Sequence, residues 1–248
     1  MAIVSHQQGK LAEALELYEK CLAIQVKVHG ADHPSLAVPY SNMALVYAEQ
    51  GKPAEALELY DKCLAIQIKA LGGDHPSVAG TYNNIAIVYR SQGNHEMALA
   101  LYDKCLDIEF KALGEDHPTV AGTYNNIAIV YYEQGKYKMA LELLDKCRSI
   151  QINVLGGDHP DVATNMYSMA TVLEKKGELV RAGGLFRESA EIYTKVLGME
   201  HEKTLATLGH ARRCDGLGAA EGMAPEDAGS TGASEVQALL ALSAFLQG

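Results

Sequence analysis

Apolar residues in this chain fall at steps of three and four, and the stripes they form recur. Between Pro76 and Gly93, the residues Val78, Tyr82, Ile85 and Tyr89 make one stripe, the pattern of an amphipathic helix with a single buried face. Pro76 stands where a first-turn proline is tolerated, because its missing N–H would have no partner there, and Asp74 or His75 is placed to cap the helix. Gly93 breaks the pattern. A second stripe runs through Ala98, Leu101, Tyr102, Cys105, Ile108 and Ala112, and Gly114 is placed to end it in a left-handed C-cap. The predicted unit is helix A, turn, helix B, turn.

This unit repeats every 42 residues, because Gly9, Gly51, Gly93, Gly135 and Gly177 share that spacing. Gly30, Gly72, Gly114, Gly156 and Gly198 form a second comb in the same register. A third consists of Asp32-His33-Pro34, Asp74-His75-Pro76, Asp116-His117-Pro118 and Asp158-His159-Pro160, with a degenerate Glu200-His201-Glu202. Three combs with one period define a repeat array, in which each unit packs on its neighbours and the stack offers an extended surface instead of a closed pocket.

Small residues mark where backbones approach, at Ala86 and Ala98 in the copy that starts at Gly72. The spacing Tyr82, Ala86, Tyr89, Gly93, Ala98, Tyr102, Cys105 resembles the tetratricopeptide repeat. Tyr40, Ala44, Tyr47, Gly51, Ala56, Tyr60, Cys63 repeat it, as do Tyr124, Ala128, Tyr131, Gly135, Ala140, Leu144, Cys147. The common unit has about 34 residues, and this longer one, with Asn83-Asn84-Ile85-Ala86 and Leu113-Gly114-Glu115-Asp116-His117-Pro118, is similar to the kinesin light chain subtype. The resemblance covers residues 1–214 and implies an all-α fold, a right-handed superhelical solenoid of antiparallel helix pairs. It also implies that the chain binds extended peptide segments of partner proteins and does no chemistry.

The formal charge of −10 argues against a nucleic-acid role, since phosphate binding needs clustered Lys and Arg and no basic stripe is visible. Met1-Ala2-Ile3-Val4-Ser5 lacks the apolar run of a signal peptide, and Ala238 to Leu246 is too short to span a bilayer, so no membrane partner and a cytoplasmic location are expected.

Candidate chemistry resolves into structure. Cys21, Cys63, Cys105 and Cys147 share one slot of successive units, so neighbours stand about 10 Å apart, the spacing of packed helices. That exceeds disulfide reach, and the slot is expected to hold a small buried thiol. Cys214 lies outside this comb. The Asp-His-Pro triplets place one imidazole per repeat along a ridge, whereas a zinc site needs three or four ligands converging on one point. They are expected to cap helix A. No catalytic residue, metal or cofactor is expected, and no phosphate loop or nucleophile elbow occurs in the sequence.

The functional signal lies in polar residues that interrupt the helix A pattern. Asn42, Asn84 and Asn126 recur at the 42-residue period, and Asn83 and Asn125 precede two of them. The resemblance places this face on the inner wall of the superhelix. Each asparagine offers two donors and an acceptor, so the ladder suits the backbone of an extended peptide. The competing reading is that each Asn bonds a neighbouring helix and fixes packing. Specificity is expected from the residues beside the ladder: Leu45, Ile87, Ile129 and Thr171 one turn on, then Ala48 and Glu49, Arg90, Tyr132 and Glu133, and Glu174 and Lys175. The nine predicted contact residues are Asn42, Asn83, Asn84, Ile87, Arg90, Asn125, Asn126, Ile129 and Tyr132. This mildly acidic lining departs from the basic groove for acidic peptides associated with kinesin light chains, and no heptad segment precedes the array, so neither that cargo nor a motor chain follows from the resemblance.

Alignment of Met1-Ala2-Ile3-Val4 with Met43-Ala44-Leu45-Val46 starts the chain inside a repeat and suggests homo-oligomers through the open end. Pro39 predicts a kink or late start in the second helix A. The fifth unit carries Ser189 in the Cys slot, Ser168 in the ladder and Gly183-Gly184 within helix B, and is expected to be the softest. Residues 202–214, with Leu205 and Leu208, predict a capping sixth helix A, residues 215–233 a flexible linker, and residues 234–248 a short apolar helix opened by Ser234-Glu235-Val236-Gln237. A structural or oligomerising module that uses the open end or this apolar tail is the alternative to peptide binding.

Overall fold

The computed structural model describes residues 1–221, and each of their regular elements is helical. In chain order these are α1 (Ala2–Gln7), α2 (Leu11–His29), a 3-10 turn (Pro34–Leu36), α3 (Ala37–Glu49), α4 (Pro53–Leu71), α5 (Pro76–Ser91) and α6 (His95–Leu113). Then follow α7 (Pro118–Glu133), α8 (Tyr137–Leu155), α9 (Pro160–Lys176), α10 (Leu179–Leu197) and α11 (Glu202–Glu221). Odd-numbered helices are the A helices and even-numbered ones the B helices. The chain divides into two compact units, residues 1–115 with α1 to α6, and the residues from Asp116 onward with α7 to α11.

The Asp-His-Pro triplet divides its labour. The histidine is the N-cap: His33, His75, His117 and His159 each accept, through Nδ1, the backbone N–H two residues on, at 3.1 to 3.3 Å. His201 does the same for the Lys203 N–H at 3.2 Å. The aspartate reaches instead to the end of helix B in its own repeat, where Lys69 donates to Asp32 at 2.8 Å, Lys111 to Asp74 at 3.1 Å and Lys195 to Asp158 at 2.9 Å. The imidazoles are thus engaged as caps. Pro39 sits in the first turn of α3, and the second helix A accordingly opens with the 3-10 turn and becomes α-helical only at Ala37.

Gly72, Gly114, Gly156 and Gly198 differ from the expected left-handed caps. Their φ values of 87° to 95° are positive, but ψ lies at 156° to 161°, an extended conformation that essentially only glycine adopts. It throws the chain outward from helix B toward the next cap.

Within the first unit, Val78 and Ala79 of α5 pack on Cys105 and Ile108 of α6, and Leu64 of α4 closes the same cluster. A helix A therefore fills the space between its own B helix and the preceding one. In the second unit Val162, Ala163 and Met166 of α9 pack on Ile192 and Tyr193 of α10. The crossing alanines Ala44, Ala56, Ala86, Ala98, Ala128, Ala140, Ala170 and Ala182 are all buried, as the spacing predicts. Polar pairs stitch neighbouring repeats, as where Thr81 of α5 donates to Gln67 of α4 at 2.7 Å.

Two expectations are corrected. Cys21 is exposed while Cys63, Cys105 and Cys147 are buried. The residues that cover Cys63 are Leu36 and Ala37 at the front of helix A. The second correction concerns α11. Its buried stripe is Thr204, Thr207, Ala211 and Cys214, and Leu205 stays exposed. The helix also continues to Glu221, seven residues into the segment read as linker. Cys214 packs on Phe186, and Arg187 holds both oxygens of Asp215 at 2.8 Å. Gly183 permits this approach, since a Cβ there would stand 3.2 Å from Asp215 Oδ1 and 3.4 Å from Cys214 Cβ. Residues 222–233 of the expected linker and the apolar segment 234–248 lie outside the described residues.

Candidate peptide-binding face

Helix α3 buries Ala37, Pro39, Met43, Ala44 and Val46. The stripe on its other side is Val38, Asn42, Leu45 and Glu49, at steps of four, three and four, so these side chains share one face. The corresponding stripe on α5 is Gly80, Asn84, Ile87 and Ser91. Asn42, Asn84 and Ile87 are half-buried, whereas Val38, Leu45, Gly80 and Ser91 are exposed. Asn83, beside the stripe, is also half-buried and donates through Nδ2 to Asn84 Oδ1 at 3.4 Å. Arg90 is buried, with 4% of its surface exposed, so its guanidinium belongs to the wall and not to the open face. Glu49 carries the stripe's exposed charge and is paired with His6 Nε2 at 2.8 Å.

In the second unit the ladder positions sink. Asn125, Asn126 and Ile129 of α7 are all buried, and Tyr132 alone of the four predicted residues there is half-exposed, its ring 5.8 Å from that of Tyr137. Asn125 Nδ2 is enclosed with no hydrogen-bond partner among the described residues. On α9 the equivalent stripe satisfies itself: Ser168 donates to the Thr164 carbonyl at 3.2 Å and Thr171 to the Tyr167 carbonyl at 3.0 Å. Hydroxyls spent on their own helix offer nothing outward.

The same slots continue onto α11, where His210 stands 42 residues after Ser168 and Arg213 stands 42 after Thr171. His210 Nε2 meets the Tyr167 hydroxyl at 3.1 Å, and Arg213 donates to Glu174 at 3.0 to 3.1 Å. Pairing with His210 first, and with Arg213, holds the Glu174 carboxyl below the usual carboxylate range. Sequence reasoning missed Val38, Gly80, His210 and Arg213 on this series. The signal that finds them is the period carried to every turn of the A helix.

Burial pushes the Cys63 and Cys105 thiols up and that of Cys147 to about 12, which makes these three poor nucleophiles. Among the described residues no group of three or more His, Cys, Asp or Glu side chains could hold a metal ion, and no helix is long and apolar enough to cross a membrane.

Helix pairs repeated at a fixed period, with the recurring histidines engaged as caps and Cys63, Cys105 and Cys147 in the core, define a helical repeat scaffold. The tetratricopeptide repeat model matches residues 1–68, 36–109, 77–152 and 119–195, and the chain belongs to that family, an all-α superhelical array of antiparallel helix pairs. It is similar to a kinesin light chain-like array of nearly identical repeats from Podospora anserina, with 30% identity over 79% of this chain and 92% of that one, at a TM-score of 0.68. BtubC from P. vanneervenii has the same fold, with 23% identity, 93% of this chain and 82% of that one covered, and a TM-score of 0.62. So does NprR, solved with its cognate peptide NprX, with 20% identity, 99% and 64% coverage, and a TM-score of 0.58. No curated protein matches the chain.

Proposed function

We propose that this protein is a non-catalytic, kinesin light chain-like scaffold that holds extended peptide segments of cytoplasmic partner proteins against the asparagine-bearing faces of its A helices. A tetratricopeptide array mediates protein–protein contacts, and the finer assignment rests chiefly on one observation. Asn42 and Asn84 stand half-open at equivalent places of α3 and α5, each one turn before an aliphatic residue. An amide and an aliphatic side chain per repeat match the two things every peptide offers, a polar backbone and a side chain. NprR, a protein of this fold, binds a peptide.

The test is affinity capture from a matched lysate with the intact chain and with Asn42→Ala/Asn84→Ala, after circular dichroism shows equal helicity. The reading expects specific partners that the variant loses. Retention of the same partners by the variant would make the ladder a packing feature.

A second reading, self-association, is favoured by α2, where Ile24 is 64% exposed although its counterpart Ile66 is 9% exposed. Ile24→Lys separates the two readings, since it should dissolve such an oligomer in light scattering and leave peptide binding intact.

A further inference from the structure

The open stripe of the first unit is almost free of exposed charge, and its chemistry narrows the class of ligand. Both α3 and α5 present an asparagine followed one turn later by an aliphatic residue, Asn42 with Leu45 and Asn84 with Ile87. Ile3 on α1 occupies the slot of Leu45 and Ile87 and is exposed, which extends the aliphatic row. Glu49 is engaged by His6, and Arg90 is buried. A charged ligand side chain laid along this row would lose water and meet aliphatic groups in return, which is unfavourable.

Geometry selects the form of the segment. Helices α3 and α5 touch directly, and packed helices stand about 8–10 Å apart. Three residues of a polyproline-II backbone advance about 9 Å and return to the same face, whereas a β-strand returns to a face every two residues, about 7 Å on. A ligand crossing from Leu45 to Ile87 therefore meets both with side chains three residues apart. Gly80, one turn before Asn84, leaves open space where a Cβ would stand, so backbone can approach backbone there.

Resting on the peptide-binding reading above, we infer that the first unit takes an uncharged segment in polyproline-II form with aliphatic side chains at every third position, the asparagines holding its backbone and Leu45 and Ile87 its side chains. The preference belongs to this unit, whose row differs from the Ser168, Thr171 and Lys175 of α9.

The experiment uses the full chain and three labelled twelve-residue peptide libraries that fix every third position as Leu, Ile or Val, as Glu, or as Lys. Fluorescence anisotropy should show the aliphatic library binding at least tenfold more tightly than either charged library. Leu45→Thr/Ile87→Thr should abolish that advantage, and the conservative Leu45→Ile/Ile87→Leu should keep it, with circular dichroism unchanged in both. A charged library bound as tightly as the aliphatic one, and released by Asn84→Ala, overturns the aliphatic preference while the peptide-binding reading stands. Failure of every library to bind overturns both.

Discussion

Ser189 donates a hydrogen bond to the Ala163 carbonyl at 2.7 Å, across the interface between α10 and α9. Two repeats earlier the thiol of Cys105 makes the same bond to the Ala79 carbonyl at 3.2 Å. The serine in the fifth unit thus keeps the bond that Cys105 makes in the third. Both side chains are fully buried.

Ser189→Ala should accordingly cost about 1 kcal/mol, the worth of one buried hydrogen bond, and lower the urea midpoint. Ser189→Cys should recover most of the loss, because Cys105 shows that a thiol can make the bond. Equal midpoints for the parent and the alanine variant would rule the bond out as a stabilising contact.

The histidine caps give a second expectation. His117 Nδ1 accepts from the Thr119 N–H at 3.2 Å, and loss of an N-cap acceptor costs about 1 kcal/mol. His117→Ala should lower the thermal midpoint. His117→Asn should restore much of it, since an amide oxygen can accept the same N–H. A restoration by glutamine as full as that by asparagine would point to something other than the cap.

Cysteine ionisation sets the response to alkali. Burial pushes the Cys147 thiol from 9.0 up to about 12, so the unfolded chain releases this proton first. Between those values the unfolded state binds fewer protons than the folded state, and stability falls as pH rises; below pH 9.0 the contribution is constant. Urea midpoints measured at increasing pH should decline less steeply in Cys147→Ala, by the equivalent of one proton. In the native protein a thiol reagent should modify the exposed Cys21 well before Cys63, Cys105, Cys147 or Cys214.

The paired glycines of α10 separate close packing from helix propensity. A Cβ at Gly184 meets nothing within 4 Å, so Gly184→Ala should stabilise the chain by about 1 kcal/mol. Gly183→Ala makes the same backbone gain but presses on Asp215 and Cys214. It should stabilise less, or not at all. Matching gains in thermal unfolding would show that α11 does not need the gap.

These sites also show what could be read in advance. Caps, breaks and the period are local: a histidine before a proline, or a glycine at positive φ, carries its own geometry. So does the A/B stripe, and the crossing alanines followed from it. What escaped depends on neighbours that the sequence does not mark. Cys21 occupies the slot of Cys63 but is exposed, whereas Cys63 lies under Leu36 and Ala37. Thr204 and Thr207, and not Leu205, lie on the buried face of α11, where their hydroxyls donate to the Gly198 and Lys203 carbonyls. Asn84 and Asn126 occupy the same slot, yet one is half-open and the other is buried, a difference no single helix encodes.

Partners are expected to meet the A-helix stripe of the first unit. A photo-crosslinking residue placed at Leu45 on α3, or at Ile68 on α4, tests it directly, because the two native side chains are 38% and 40% exposed and differ chiefly in the face they occupy. In the presence of the aliphatic peptide library, irradiation should give adducts from position 45 and few from position 68. Equal yields, or adducts from position 68 alone, would show that the peptide does not bind on the A-helix stripe.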